Sequence, residues 1–201
     1  MSLITDFDFT KDYVLEDERV ILKPLTISDT ELLAEYVINE PELWQFSLVA
    51  IQKPEDLKGY IESALQARLA QSAYAFIVFD KQSQSYVGST RFYDVQLPFE
   101  TTQLGYTWYS KKVWGTGLNQ HCKFLLLQFA FEQMKFKRVE FRADNSNKRS
   151  VAAMQKIGCT VEGVLRSHLP KPDGTRRDSI VLSITTEDWN CNVKKIIQAQ
   201  L

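Results

Sequence analysis

The sequence predicts one α/β domain, a mixed and mostly antiparallel sheet of about seven strands with about four helices. Three observations predict it. Short runs of alternating polarity recur, such as Val139-Glu140-Phe141-Arg142-Ala143, and a period of two marks a half-buried strand. One segment, Leu118 to about Met134, is apolar on nearly every side, as a central buried helix is. The elements follow in the order β-αα-βββ-α-β-α-ββ, with no repeat, linker or low-complexity stretch between them. A chain of 201 residues is long enough for one domain with a sizeable core.

Taken in order, Arg19 to Leu25 alternates and reads as the first strand. Ser28 or Asp29 can cap a helix running to about Ile38, and Asn39-Glu40-Pro41 ends it. Trp44 and Phe46 follow in an aromatic loop. Pro54 can open a second helix, from Glu55 to about Ala70. Tyr74–Phe79 and Tyr86–Tyr93 are strands joined by the polar turn between Asp80 and Ser85, and Thr102–Tyr109 is the next strand. After the buried helix comes the strand Val139–Ala143. Asn147 can cap a short helix, Lys148–Ile157, with Gly158 as its left-handed stop. Val161–Leu169 and Ser179–Thr185 read as a last antiparallel pair, with turn residues Pro172-Asp173-Gly174 between them.

Composition narrows the function. The formal net charge of −1 weighs against a nucleic-acid binder, which usually carries a strong basic balance. Three scattered cysteines, Cys122, Cys159 and Cys191, give no disulfide framework and suit a reducing compartment. The N-terminus lacks a basic start followed by a long apolar run, so no secretory signal is read. No window approaches the roughly 20 apolar residues of a membrane span. A cytoplasmic protein is expected, without membrane or nucleic-acid partners.

The chemistry is carried by a glycine pair between a strand and a helix. Gly115 and Gly117 in Trp114-Gly115-Thr116-Gly117-Leu118 open the buried helix. A helix start presents free N–H groups to a phosphate-bearing ligand. A dinucleotide fingerprint needs a third glycine, and an ATP loop needs Gly-Lys-Ser/Thr. Neither is present, so a nucleotide-binding domain is set aside. The glycines could also serve only a tight turn.

With Lys112-Val113-Trp114-Gly115-Thr116-Gly117 at its third helix, this element order resembles the GNAT acyltransferase superfamily, whose pyrophosphate loop reads Arg/Gln-x-x-Gly-x-Gly/Ala. Lys112 stands where Arg or Gln is usual. A second segment sharpens the resemblance: Asn145-Ser146-Asn147-Lys148-Arg149-Ser150, then Lys156-Ile157-Gly158-Cys159 and Glu162-Gly163-Val164-Leu165-Arg166. It is similar to the branch containing the ribosomal-protein N-terminal acetyltransferases, with Cys159 replacing the usual Phe. Asp188-Trp189 resembles the Glu-Trp with which that branch often closes its last strand. The resemblance spans about Arg19 to Trp189. It implies residues 1–18 as an N-terminal extension, 19–189 as the acetyltransferase domain and 190–201 as a C-terminal tail.

The resemblance implies the following roles. Amides and flanking groups of Lys112, Val113, Trp114, Gly115, Thr116, Gly117, Leu118 and Asn119 hold the diphosphate of acetyl-CoA, the co-substrate. The strand before the loop splays from its neighbour, and the pantetheine arm lies in the gap beside Trp108 and Tyr109; core packing is the alternative for those two side chains. Asn145 and Asn147 bond the arm, with helix capping open for Asn147. Ser150 gives a proton to the departing thiolate, or else is an ordinary first-turn serine. A base takes the proton of the acceptor amine. His168 is the candidate by its near-neutral pKa; the family's glutamate position is Leu169 here, and His168 could equally be an idle strand residue. Trp44, Phe46, Arg91 and Tyr93 are expected acceptor-side walls. His121 has no metal-ligand spacing and reads as a helix-surface residue, and no metal is expected.

The expected activity is therefore an acetyl-CoA-dependent N-acetyltransferase, moving acetyl directly to a peptide N-terminus or a small-molecule amine. No cysteine occupies either motif's active position, which fits direct attack. The chain is expected to be a monomer or homodimer. The alternative is a coenzyme-A-binding sensor or scaffold without catalysis, kept open by the missing glutamate.

Overall fold

The structure is a computed structural model and describes residues 7–201. Its sheet has eight strands in the order β1-β2-β3-β4-β5-β6-β8-β7. They are β1 (Leu15–Glu16), β2 (Val20–Pro24), β3 (Ala73–Asp80), β4 (Ser85–Gln96), β5 (Thr101–Tyr109), β6 (Arg138–Asp144), β7 (Thr160–Pro170) and β8 (Arg176–Thr185). Helices α1 (Asp29–Asn39) and α2 (Pro54–Leu69) precede β3, α3 (Leu118–Gln128) joins β5 to β6, and α4 (Lys148–Lys156) joins β6 to β7. Neighbouring strands are antiparallel except β5 and β6, which run parallel across the α3 crossover.

Side-chain alternation divides the core between the two faces of the sheet. Phe76, Val78, Phe92, Leu104, Val139, Phe141, Ile180 and Leu182 pack with the buried residues of α3. Ala75, Ile77 and Trp108 pack on the opposite face with Leu33, Val37, Leu57 and Ile61 of α1 and α2. Gly88 sits against the main chain of β5: a Cβ there would stand 2.1 Å from the carbonyl oxygen of Trp108.

Four features differ from the sequence reading. The eighth strand is β1, whose two residues are too few to show a period. The buried helix ends in a π-helical turn, Phe129–Gln133. After β8 the chain is helical again: α5 (Thr186–Asp188), a π-helical turn over Trp189–Val193, then α6 (Lys194–Gln198). Trp189 is thus a helical core residue stacked on Phe131, and Val193 and Ile197 are buried with it. At the other end Phe7, Phe9 and Leu15 are also buried. His121 is a correction. It is buried rather than on the helix surface, because its Nδ1 sits 2.8 Å from Oδ2 of Asp17, just before β2.

Two irregularities position the site. The β5–β6 ladder holds only the pairs Thr101/Arg138, Thr102/Val139 and Gln103/Glu140, and beyond them the strands diverge. On its other edge β5 carries a bulge. The register moves from Ser89/Trp108 to Arg91/Gly105, so Tyr106 and Thr107 share the place opposite Thr90, with Tyr106 at φ +50°. A bulge increases local twist, and here it accompanies the swing of β5 away from β6.

Candidate functional site

The diverging strands open into a cavity of about 680 Å³. At one end lies the glycine loop. Gly115 (φ +76°) and Gly117 (φ +90°) both take left-handed backbone, and a Cβ at either would meet nothing within 4 Å. The main chain is therefore approachable from outside. Gly117 is the N-cap of α3, and its carbonyl accepts from the N–H groups of Gln120 and His121. The first-turn amides before them have no intrahelical acceptor and concentrate the positive end of the helix dipole. Ser110 and the N–H of Lys111 anchor the loop, donating to the two carboxylate oxygens of Glu40 at 2.7 Å each.

Of the loop residues expected to hold a ligand, Val113, Trp114, Gly115, Gly117 and Asn119 line the cavity, as do Trp108 and Tyr109. Lys112, Thr116 and Leu118 do not. Lys112 Nζ donates to Ser85 Oγ at 2.8 Å, the Thr116 hydroxyl donates to the Val113 carbonyl at 2.9 Å, and Leu118 is in the core. Trp114 is held across its ring: Nε1 donates to the Tyr109 carbonyl, and the Arg149 guanidinium lies 3.4 Å from a ring centroid. Arg149 and Lys156 of α4 add positive charge to this wall.

At the start of α4, Asn147 Oδ1 accepts the Ser150 N–H at 3.1 Å, so Asn147 is a helix cap. It also faces the cavity, as does Ser150. Asn145 stays off the wall, its N–H donating to the Asp178 carbonyl.

The opposite end of the cavity is aromatic and polar. Trp44, Phe46 and Tyr93 line it. Arg91 does not reach the wall; it is buried beneath two tyrosines, 4.3 Å from the Tyr106 ring centroid and 4.9 Å from that of Tyr60. His168 also lies off the wall, where its neighbour Leu169 stands instead. The reason is local. Ser167 takes φ +50° and the β7–β8 register shifts between Leu165 and Leu169. His168 Nδ1 is left 3.0 Å from Ser179 Oγ. Desolvation first, then Arg142, Arg177 and Arg176, hold its pKa below the usual 6.5.

Sequence reasoning missed several wall residues. Lys123 is buried in the second turn of α3, and its Nζ donates to Thr107 Oγ1 at 3.2 Å. Burial pushes its pKa down to about 8. The available signal was the polar stripe Asn119, Gln120 and Lys123 at helical spacing on a largely apolar helix. Tyr60, Tyr106, Arg142 and Arg177 also line the cavity. They come from α2, the β5 bulge, β6 and β8, and no sequence spacing links them.

Residues 19–160 match the family model described as the acetyltransferase (GNAT) domain. Among curated relatives, the uncharacterized N-acetyltransferase p20 of Bacillus licheniformis is 20% identical over 176 residues, covering 87% of this chain and 97% of the relative. The [ribosomal protein uS5]-alanine N-acetyltransferase of Escherichia coli (strain K12) is 25% identical over 184 residues, covering 87% and 92%. Mycobacterium smegmatis RimJ, solved in complex with CoA-disulfide, superposes with a TM-score of 0.79 at 17% identity, covering 94% of this chain and 93% of that one. The family match, the divergent β5 and β6 and the glycine-led α3 agree, and this chain belongs to the GNAT acetyltransferase family.

Proposed function

We propose that the protein transfers an acetyl group from acetyl-CoA directly to a primary amine. One observation carries this reading: a helix start with two left-handed glycines, the capped start of α4 and the diverging edge of β5 all border a single cavity. The residues present fit the co-substrate. Main-chain amides from Gly115 to Asn119 would take the diphosphate, with Arg149 and Lys156 beside them. The edge of β5 beyond Gln103, unpaired with β6, would bond the amide-rich arm as a strand bonds its neighbour. When bound, acetyl-CoA supplies the activated acyl group. The amine nitrogen would bond to the carbonyl carbon as the C–S bond breaks, and Ser150 would pass a proton to the thiolate and regain one from solvent. His168 is neutral near pH 7 by its lowered pKa. From its place behind Leu169 it would take the amine's proton only through a water. The uS5-alanine acetyltransferase relative favours a peptide N-terminus as acceptor, and an α-amine of pKa about 8 is already partly neutral at pH 7.

Leu169 at the family's glutamate position favours a second reading, a coenzyme-binding module without catalysis. Two measurements separate and test these. Acetyl-CoA and CoA should raise the melting temperature, because a ligand held only by the folded state stabilises it, and ATP and NAD should do so far less. Equal shifts with ATP would sink the coenzyme assignment. Thiol release from acetyl-CoA with a panel of amines then distinguishes enzyme from binding module.

Ser150→Ala should lower kcat by about 10²-fold with coenzyme affinity nearly intact, the scale of lost general acid–base help. Normal turnover per folded molecule, with a lower melting temperature, would leave Ser150 as a helix-turn residue only.

A further inference from the structure

The acceptor end of the cavity holds two buried arginines, Arg91 and Arg177, with no carboxylate in contact among the described residues, and beside them Arg142, which pairs with Glu140. Strand alternation places them on one face. Arg91 pairs with Ala75, which packs against α1 and α2. Arg142 lies between Phe141 and Ala143, and Arg177 is in step with Ser179 and Val181, so both project away from the α3 face. The glycine loop is at the start of α3. From Gly105, opposite Arg91, to Tyr109, where β5 ends before the loop, is roughly 13 Å of strand. These arginines therefore lie apart from the amides assigned to the diphosphate.

Arg91 is 5% exposed and Arg177 8%, and neither has a carboxylate within 4.0 Å among the described residues. Arg91 Nε and Nη2 have no hydrogen-bond partner among the described residues. Arg177 donates from Nε to Ser179 Oγ at 2.8 Å, and its terminal nitrogens form no bond to the described protein. The nearby acids take their hydrogen bonds from other groups, although Asp144 still acts on Arg177 at longer range. Asp94 accepts from the side-chain amides of Gln96 and Gln103, Glu140 is shared by Arg138 and Arg142, and Asp144 takes the N–H and hydroxyl of Ser146. A buried charge is costly unless paired, and Arg177 lines the cavity with its terminal nitrogens unbonded among the described residues.

We propose that this end is a carboxylate subsite: Arg177, reinforced by the charge of Arg91 beneath the Tyr106 ring, receives a carboxylate carried by the acceptor amine. The proposal rests on the acetyl-transfer reading and deepens it to a class of acceptor. A planar carboxylate matches the two terminal nitrogens of a guanidinium, which lysine cannot reproduce. Tyr93, Tyr106 and Trp44 also line the cavity, which Asp94 and Asp144 border as well, so an acceptor with an apolar body and one carboxylate placed on Arg177 fits.

The test compares matched amines that differ only in that group. Phenylalanine is set against phenylalaninamide, and Asp-Phe-amide against Asn-Phe-amide, with thiol release from acetyl-CoA as readout. The first pair carries the carboxylate on a free amino acid, the second on a peptide's first side chain. In at least one pair the carboxylate member should show a kcat/KM higher by about tenfold or more, the size of a charged hydrogen-bonded contact. Arg177→Gln should bring that ratio to within about twofold, and Arg177→Lys should restore it only in part. Ratios near one in both pairs, or an Arg177→Gln ratio equal to that of the wild type, would overturn the subsite.

A binding measurement separates this failure from failure of acetyl transfer itself. With CoA present, N-acetyl-phenylalanine and N-acetyl-Asp-Phe-amide are titrated calorimetrically against N-acetyl-phenylalaninamide and N-acetyl-Asn-Phe-amide. Tighter binding of a carboxylate member, lost in a cooperatively melting Arg177→Gln, supports the subsite even if no amine is turned over. Equal binding within both pairs overturns it even if amines are acetylated.

Discussion

Replacing Gly117 by valine is expected to weaken acetyl-CoA binding by about a hundredfold or more while the protein still folds. Gly117 has φ +90° and its Cβ position is open. The new Cβ would therefore meet no other described residue within 4 Å, and the branched side chain would enter the space from which a diphosphate approaches the α3 amides. Left-handed backbone costs a branched residue about 1–2 kcal/mol, a loss a domain of this size should survive. Gly117→Ala separates the two contributions, since it carries backbone strain with less bulk. Calorimetric titration with CoA gives the answer. Affinity unchanged in Gly117→Val, in a protein with a cooperative melt, would place the phosphates elsewhere.

The second large effect is on stability. Lys123→Met should stabilise the protein at pH 7 by up to about 3 kcal/mol, since its pKa falls from the usual 10.5 to about 8 on folding and each unit corresponds to about 1.4 kcal/mol. The sign follows from proton counting. Between pH 8 and 10.5 the unfolded chain keeps the lysine proton and the folded one has lost it, so stability from this group rises with pH across that window. Below pH 8 the full cost is present, and above pH 10.5 it is gone. Cys122 and Cys159, both pushed up to about 12 by burial, work in the opposite direction. They are common to both proteins and largely cancel in the comparison. Urea unfolding at several pH values from 6.5 to 10.5 should show the advantage of the methionine variant shrinking as pH rises. An advantage independent of pH would mean that Lys123 is not charged-and-buried in the folded state.

Elements with their own punctuation were readable from the chain. Pro54 opens α2, Asn147 and Gly158 bracket α4, and the polar run after Asp80 turns β3 into β4. The loop was readable because glycine chemistry is local. What escaped depends on partners distant in sequence. β1 exists through its pairing with β2. The final helical stretch was signalled by Trp189, Val193 and Ile197 at a spacing of four, but a strand-closing motif was read there instead. His121 looked exposed because its partner, Asp17, is 104 residues away. His168 was placed by chemistry and by nearness to a family position. A register shift that no local residue announces leaves it behind the wall. The arginines of the acceptor end meet only after the sheet is assembled.

The short β5–β6 ladder divides the sheet into two leaves, β1 to β5 and β6 with β8 and β7, bound along a spine of three rungs. From Gln103 at the top rung to Trp108 near the rim is about 17 Å of strand. A rotation of one degree at the spine thus moves the rim by about 0.3 Å, which is enough to make or break a hydrogen bond. The width of the cleft is therefore set at Thr101–Gln103 and Arg138–Glu140 as much as by the residues lining it. A ligand arm that bridges both leaves would act as a strut, resisting that rotation across the widest part of the opening.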